Sequence, residues 1–131
     1  MHVDIVDGQF VHRYTEQEER DYVWQKIFRR WGEWNWDERT FALRNYPDCI
    51  SWEWVNRNYI LPESMIREFK DYMCWNAVIS QLHFCSKGFI EEIIDKFDEY
   101  NIQVTFMDRE GVMNRLKEII HDRETEEYIQ S

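Results

Sequence analysis

Two similar segments in the middle of the chain decide the fold: residues 61–73, LPESMIREFKDYM, and residues 85–97, CSKGFIEEIIDKF. Upstream of each segment stands a tryptophan, Trp52 and Trp75. Each copy predicts an aromatic anchor, a short helix, a tight turn and a longer amphipathic helix. One such unit cannot bury its apolar face alone, so we expect the two copies, residues 52–100, to stack. The aligned apolar pairs are Trp52 and Trp75, Val55 and Val78, Leu61 and Cys85, Met65 and Phe89, Ile66 and Ile90, Phe69 and Ile93, and Met73 and Phe97.

Residues 52–100 resemble a known repeat. Short tandem units of the form W…S…L-S-x-x-F-I…F…D…W recur in proteins of large bacteriophages and giant viruses. The chain departs from that pattern at Pro62, where Ser is usual, at Met65, where Phe is usual, and at Cys85, where Leu is usual. The resemblance implies a viral origin and carries over no catalytic residue. The matching residues are Trp52, Ile66, Phe69, Asp71, Trp75, Ser80, Ser86, Phe89, Ile90, Asp95 and Phe97.

The flanking sequence predicts a small antiparallel sheet. Residues 2–14 contain two short apolar runs separated by Asp7-Gly8, a dipeptide typical of two-residue hairpin turns. Residues 102–107 contain a strict apolar–polar alternation, which is typical of a half-buried strand that could join the hairpin. We therefore predict an α+β fold that is predominantly helical, with a sheet of the hairpin and the strand at 102–107.

The remaining segments predict helices within one domain, residues 1–131. Thr15 and Glu18 have the spacing of a capping box for a helix over residues 16–31. Ser86 and Asp108 are candidate caps for later helices. The polar tail, residues 124–131, is expected to fray.

Composition excludes several classes. The chain of 131 residues is 44% apolar and 17% aromatic, which excludes disorder along its whole length. Its 26 acidic against 16 basic residues make direct nucleic-acid binding unfavourable, because phosphate contacts need surplus Lys and Arg. The sequence predicts no membrane-spanning segment and no signal peptide. With three cysteines, an odd number, we expect reduced thiols and a cytoplasmic location, which would be the host cytoplasm for a viral protein.

The acidic excess is concentrated after residue 90, because residues 91–131 contain 12 acidic and 5 basic residues. Carboxylates four residues apart on a helix lie about 5–6 Å from each other. Successive phosphates of a DNA strand have a broadly similar separation, so such rows could occupy a phosphate-binding groove of another protein. The alternative is an ordinary solvated helix face. The candidate partner-binding carboxylates are Glu91, Glu92, Asp95, Asp98, Glu99, Glu118 and Asp122.

Three tryptophans, Trp31, Trp34 and Trp36, lie close together beside two arginines. Three interpretations are open. The tryptophans could be core residues, an exposed anchor for a partner protein, or a surface on which single-stranded bases stack. The net negative charge disfavours the last reading. Trp34 and Trp36 are therefore the candidate aromatic anchors.

Enzyme signals are few. Cys74, His83 and Cys85 lack the close pairing of zinc ligands, so the sequence predicts no metal and no cofactor, and free Cys is read as a small buried hydrophobe. No nucleotide-binding or nucleophile motif is present in the sequence. An alternative is convergence of acidic side chains on Mg²⁺ or Mn²⁺. Those side chains are Asp4, Asp7, Asp37, Glu38, Asp108 and Glu110.

Together these patterns favour a non-catalytic interaction protein of viral type. It would bind and inhibit a host protein, with nucleic-acid-handling proteins as the class that the acidic rows suggest. Two alternatives stay open: a structural or virion-associated repeat module, and a small metal-dependent hydrolase or nuclease. The sequence says nothing about the oligomeric state.

Overall fold

The computed structural model describes the backbone of residues 2–6 and 9–130 and the side chains of residues 13–125. The chain divides after Ser51 into two compact units, here called the N-terminal unit and the C-terminal unit. The division falls at Trp52, the residue at which the sequence repeat begins. The expectation of a single domain over residues 1–131 stays a prediction.

The N-terminal unit begins with two paired strands. Strand β1, His2–Val6, runs antiparallel to strand β2, Gln9–Arg13. Asp7 and Gly8, the predicted turn, lie outside the described residues. Arg13, the last residue of β2, donates a hydrogen bond to Asp48 at 3.1 Å, which ties this strand to the segment after the second helix. The two helices of this unit are α1, Gln17–Trp31, and α2, Trp36–Asn45.

The capping box of this unit lies on α2 and not on α1. The predicted box at Thr15 is wrong, because α1 is preceded by Glu16, whose side chain makes no capping hydrogen bond. At α2, the Asn35 side chain accepts a hydrogen bond from the Glu38 backbone N–H at 2.9 Å. The Glu38 carboxylate accepts one from the Asn35 N–H at 3.4 Å. Asn caps as well as Thr does, so the N-x-x-E spacing here starts the helix.

The core of the N-terminal unit is small. It is formed where the last turns of α1 meet α2 and the segment that follows α2. Among the described side chains of this unit, residues 13–51, the largest buried one is Trp31, which is 2% exposed. The same range contains the buried side chains of Ile27, Ala42, Leu43, Cys49 and Ile50.

The C-terminal unit is helical throughout its regular structure. Ser86 accepts a hydrogen bond from the Phe89 N–H at 3.2 Å, and Asp108 accepts one from the Gly111 N–H at 2.8 Å, so both predicted caps are confirmed. Its elements are α3, Trp52–Asn58; α4, Glu63–Glu68; α5, Trp75–Val78; a 3-10 helix, Ile79–Phe84; α6, Lys87–Asp95; α7, Phe97–Tyr100; and α8, Arg109–Gln130.

Burial follows the repeat alignment closely. Six of the seven aligned apolar pairs are buried in both copies. The exception is Met65, which is partly exposed where its counterpart Phe89 is 1% exposed. Each anchor packs against an aromatic ring, but at positions that the repeat does not align: the Trp52 ring lies 5.2 Å from that of Phe69, and the Trp75 ring lies 6.2 Å from that of Tyr100. Most of the aligned apolar positions therefore belong to the core of this unit, which also contains Ile79, Leu82 and Tyr100 and, beyond the repeat, Val112, Leu116 and Ile119 of α8.

The longer helices of the repeat are shorter than the sequence predicts. The predicted stripe continues to Met73, but α4 ends at Glu68, and a turn then carries Phe69 and Met73 into the core. In the second copy, Lys96 interrupts the helix between α6 and α7. In both copies the apolar side chains are buried as predicted, although the helix that was predicted to carry them is shorter or interrupted.

The buried polar residue Asn56 joins three segments of this unit. It is 1% exposed, and its side-chain oxygen accepts a hydrogen bond from the Cys74 N–H at 2.8 Å. Its amide nitrogen donates to the Met73 sulfur at 3.4 Å, and its carbonyl accepts from Gln81 at 2.5 Å. A buried amide with its groups bonded fixes one geometry, because leaving them unpaired is costly.

The predicted α+β fold class is wrong. The structure is dominated by helices, and residues 102–107, predicted as a strand, form a turn-rich loop between α7 and α8. Asn101 enters this loop in the left-handed conformation, with φ of 47°. The Thr105 N–H bonds to the Asn76 side chain at 2.9 Å and not to a strand. The sheet of the hairpin and a strand at 102–107 therefore does not form.

Helix α8 reaches Gln130, through the segment predicted to fray; the fraying itself stays a prediction. Among the described residues, no helix is both long enough and apolar enough to cross a membrane.

Candidate interaction site

The N-terminal unit carries an apolar groove along one face of α2, with a volume of about 490 Å³. We call it the α1–α2 groove. Its floor is formed by Ile27 and Ala42, which are 6% and 3% exposed. Phe41 stands at its edge with 64% of its surface exposed, so the groove is open to solvent. The lining side chains are Ile27, Trp34, Asp37, Glu38, Phe41, Ala42 and Tyr46.

The capping box explains why these residues share one face. It fixes the start of α2 at Trp36, just after the chain reversal that follows α1. Residues three, four and seven apart then lie above one another on the helix. Asp37, Glu38, Phe41 and Ala42 follow this spacing on α2, whereas Trp34 lies just before the Asn35 cap and Tyr46 just after the last residue of the helix.

The groove combines apolar walls with negative charge. Asp37 and Glu38 both lie in the first turn of α2, where the helix dipole favours carboxylates. The described side chains that line the groove include no Lys or Arg. The groove therefore presents an apolar floor with two carboxylates at one end.

Trp36, the second predicted anchor, lies outside this groove. Its ring and that of Trp31 meet edge to face at 6.3 Å. The Arg39 guanidinium lies 5.0 Å from the Trp36 ring and 5.4 Å from the Trp31 ring. Of the three tryptophans, Trp31 belongs to the core, and Trp36 is 41% exposed and lies against the Arg39 guanidinium. Only Trp34 of these three lines the groove.

In the C-terminal unit, Glu92 is engaged inside the fold. Its carboxylate accepts hydrogen bonds from the Arg67 Nε at 2.9 and 3.2 Å and a short one from the Tyr100 hydroxyl. These bonds from Arg67 and Tyr100 hold the pKa of Glu92 below its usual value. Burial, together with the hydrogen bond to Glu92, raises the pKa of Tyr100. The carboxylate is thus a structural joint between α4, α6 and α7.

Three more of the predicted carboxylates have cations beside them. Asp98 pairs with Arg109 at 2.5 Å, Glu118 with Arg115 at 3.3 Å, and Glu91 lies 3.8 Å from Lys87. Asp95, Glu99 and Asp122 are exposed and make no ion pair with any described side chain. Because Lys96 interrupts the helix, Glu99 does not continue the row of Glu91 and Asp95 on one helix.

The two acidic rows do not meet at the seam between α6 and α8. There Lys87 pairs with Glu124 at 3.1 Å, which places Glu124 on the side of α8 that faces α6. At about 100° per residue, Glu118 and Asp122 lie roughly 120° and 160° around the helix from Glu124. The rows therefore do not form one continuous strip at this seam.

The candidate metal ligands of the sequence can be compared with the structure only within the described side chains. Among residues 13–125, no group of three or more His, Cys, Asp or Glu side chains is placed to hold a metal ion. Asp4 and Asp7 lie outside the described side chains. Burial raises the pKa of both the Cys49 and Cys85 thiols to about 11, as expected for thiols that act as buried hydrophobes.

The sequence reasoning missed most of the groove. It selected Trp34, but it read residues 39–44 as either a short helix or a strand and therefore did not place Phe41. The signal that could have found it is the N-x-x-E box at residues 35–38, which starts the helix and sets its face. Asp37 and Glu38 were considered only as metal ligands.

Comparisons with protein-family models, with curated proteins and with solved structures gave no match.

Proposed function

We propose that this protein is a non-catalytic interaction protein that binds a partner protein through the α1–α2 groove. The observation that carries the proposal is the groove itself, in which Trp34 and Phe41 flank a buried apolar floor beside Asp37 and Glu38. An open apolar patch with aromatic side chains is typical of protein-binding surfaces. The carboxylates favour a partner segment that carries apolar side chains together with Lys or Arg.

The groove supports protein binding better than the phosphate-like reading of the acidic helices does. Only Asp95, Glu99 and Asp122 of the seven predicted carboxylates lack an ion pair with a described side chain. These three are the basis of a second candidate function, in which the C-terminal unit binds a phosphate-binding groove of another protein. The viral setting and the inhibition of a host protein rest on the repeat resemblance alone and stay a hypothesis.

The proposal is tested by Phe41→Asp, with Phe106→Asp as its matched control. Both phenylalanines are about equally exposed, at 64% and 60%, but Phe106 lies in the loop before α8. Proteins captured from a lysate by each tagged variant are compared with those captured by the wild type, after circular dichroism has shown that both variants are folded. We expect a partner that the wild type and Phe106→Asp retain and Phe41→Asp loses. Equal capture by all three proteins would contradict the proposal.

The second candidate makes an opposite prediction. If the acidic helices bind the partner, Asp95→Asn combined with Glu99→Gln reduces capture, while Phe41→Asp does not. Conversely, loss of capture by Phe41→Asp alone assigns binding to the groove.

A further inference from the structure

We propose that α8 is a cap over a stacking face of the second repeat copy, and that a second copy of this chain binds that face when α8 is displaced. The first repeat copy contains α3 and α4, and the second contains α5, the 3-10 helix and α6. The inference concerns the C-terminal unit alone and does not rest on the proposed function. It is carried by the contacts of the second repeat copy, by the two faces of α8 and by the charges of α6.

The first repeat copy contacts the second through polar side chains of α4. Glu63, the first residue of α4, accepts hydrogen bonds from the Ser86 N–H at 3.1 Å and from the Ser86 hydroxyl. Arg67, one turn further along α4, bonds to Glu92 at 2.9 Å, and its guanidinium lies 4.7 Å from the centre of the Phe89 ring. Positions 63 and 67 of α4 therefore join the first repeat copy to α6.

Helix α8 contacts the second repeat copy through a position equivalent to Glu63. Lys87 aligns with Glu63 in the repeat, and its ammonium lies 3.1 Å from the Glu124 carboxylate of α8. The His83 carbonyl, in the 3-10 helix, accepts a hydrogen bond from Arg123 of α8. The repeat position that joins the first copy to the second thus also joins the second copy to α8.

The contacts with the first repeat copy and with α8 lie on different sides of α6. At about 100° per residue, Glu92 and Phe89 lie roughly 140° and 200° around the helix from Lys87. Helix α8 packs against both α6 and the 3-10 helix. The second repeat copy is therefore placed between the first copy and α8, so α8 takes the position that a third copy would take in a longer array.

The two faces of α8 are those of a capping helix. Val112, Leu116 and Ile119 follow the i, i+4, i+7 spacing and form its buried face. The opposite face of its described part is polar and exposed. The terminal elements of repeat arrays need such a polar outer face, because an uncovered stacking face would associate with other molecules. The exposed polar residues are Asn114, Lys117, Glu118, His121 and Asp122.

The charges beside α8 favour a second copy of the chain as the occupant of the covered face. Lys87 and Glu91 are about one turn apart on α6, and their charged atoms lie 3.8 Å from each other. In a dimer with two-fold symmetry the same face of each chain contacts the other. A two-fold axis that sets α6 antiparallel to its copy places Lys87 of one chain opposite Glu91 of the other. This pairing replaces the contact of Lys87 with Glu124 and covers the apolar surface that α8 leaves.

The test compares two full-length double variants that each add two carboxylates to α8. Leu116→Asp with Ile119→Asp places them on the buried face and displaces the helix. Asn114→Asp with Thr125→Asp places them on the exposed face and is the matched control. Analytical ultracentrifugation at several protein concentrations gives the mass, and circular dichroism shows that each variant is folded. We expect the first variant to reach about twice the mass of the wild type and the control to keep the wild-type mass.

A synthetic peptide of α8, Arg109–Gln130, tests whether the assembly uses the face that α8 covers. Excess peptide should abolish the doubling of mass. By fluorescence anisotropy, the labelled peptide should bind the displaced variant about tenfold or more tightly than the wild type, whose face is occupied. If the Asp variant does not fold, Leu116→Ala with Ile119→Ala weakens the same contacts without burying charge and is expected to show the same difference in peptide binding.

Charge reversal tests the two-fold arrangement. In the displaced variant, Lys87→Glu should weaken the dimer about three- to tenfold, because it brings carboxylates of the two chains together. Adding Glu91→Lys should restore the dimer, because the exchanged pair has the same complementarity. An unchanged dimer in Lys87→Glu, or no recovery on adding Glu91→Lys, would overturn this arrangement.

Four further results would overturn the inference. A displaced variant that binds the peptide but keeps the wild-type mass would show that no second copy binds the face. A mass increase that excess peptide does not reverse would show unspecific aggregation. Equal binding of the peptide to the wild type and the variants would show that α8 is not a cap over this face. Loss of the dimer on adding Phe41→Asp would assign the contact to the α1–α2 groove.

Discussion

Replacing Glu92 with Gln should destabilise the fold and leave partner binding intact. The sequence places this carboxylate in a partner-binding row, whereas the structure places it between Arg67 and the Tyr100 hydroxyl. Tyr100 is 3% exposed, so its hydroxyl needs a partner inside the fold. The same substitution at the neighbouring Glu91 is the matched control, because Glu91 is exposed and lies 3.8 Å from Lys87.

The magnitude follows from the two interactions that change. A hydrogen bond to a charged group contributes about 1.5–3 kcal/mol and one to a neutral group about 0.5–1.5 kcal/mol, so the bond from Tyr100 loses about 1 kcal/mol. The ion pair with Arg67 adds about 0.2–1 kcal/mol, because the side chains are 46% and 28% exposed and solvent screens them. Glu92→Gln should therefore cost about 1–2 kcal/mol, and Glu91→Gln less than about 0.5 kcal/mol.

Urea denaturation followed by circular dichroism measures this difference. With an m value of about 1–3 kcal/mol per M, the midpoint of Glu92→Gln should fall by about 0.3–2 M at pH 7. Because the pKa of Glu92 is lowered in the fold, its contribution is present above its ordinary value of 4.5 and is lost as the pH falls through the folded-state pKa. The gap between wild type and Glu92→Gln should therefore close under acid conditions.

Two results would refute the reasoning. One is an equal midpoint for Glu92→Gln and Glu91→Gln, which would mean that the contacts with Arg67 and Tyr100 contribute nothing beyond an exposed pair. The other is a gap that keeps its size as the pH falls, which would mean that the ionised carboxylate is not the stabilising species.

Two further predictions concern the C-terminal unit and the cysteines. Asn56→Ala should lower the free energy of unfolding by about 2–4 kcal/mol, because it leaves the partly buried Cys74 N–H unpaired and opens a cavity at a side chain that is 1% exposed. Asn58→Ala, at the exposed end of the same helix, should lower it by less than about 0.5 kcal/mol. Similar costs for the two variants in urea denaturation would contradict this. At pH 8 a thiol reagent should modify the partly buried Cys74 first, since burial raises the pKa of Cys49 and Cys85 to about 11 and leaves only about one thiol in a thousand ionised; equal rates measured by mass spectrometry would argue against this order.

Helix starts could be read from the sequence where a cap and an apolar stripe coincide. Ser86 and Asp108 were identified in this way, and both cap helices in the structure. Thr15 has the same pattern and does not cap, while Asn35 does. Capping spacing recurs by chance in a polar sequence, so the pattern alone does not select among several candidates.

The strand predicted at 102–107 shows where periodicity fails. Five alternating residues fit a strand, but a strand forms only where a neighbouring strand can bond to its backbone. In the structure the Thr105 N–H bonds to the Asn76 side chain, and Phe106 is 60% exposed. The apolar–polar alternation is present in the sequence, but in the structure these residues do not pair with a neighbouring strand.

By itself the sequence determined which residues of the repeat form the core. Six of the seven aligned apolar pairs of residues 52–100 are buried in both copies, because burying apolar area is the main favourable term in folding and its pattern is given by the residue types. Only the tertiary structure decided which charged side chains are bonded within the fold and which are exposed to solvent. Glu92 is tied to Arg67 and Tyr100, and Glu38 to the Asn35 N–H of the capping box, whereas Asp37 lies at the edge of an open groove. An ionised side chain is available to a partner only if no group within a few ångströms already satisfies it, and that distance is set by how the helices pack.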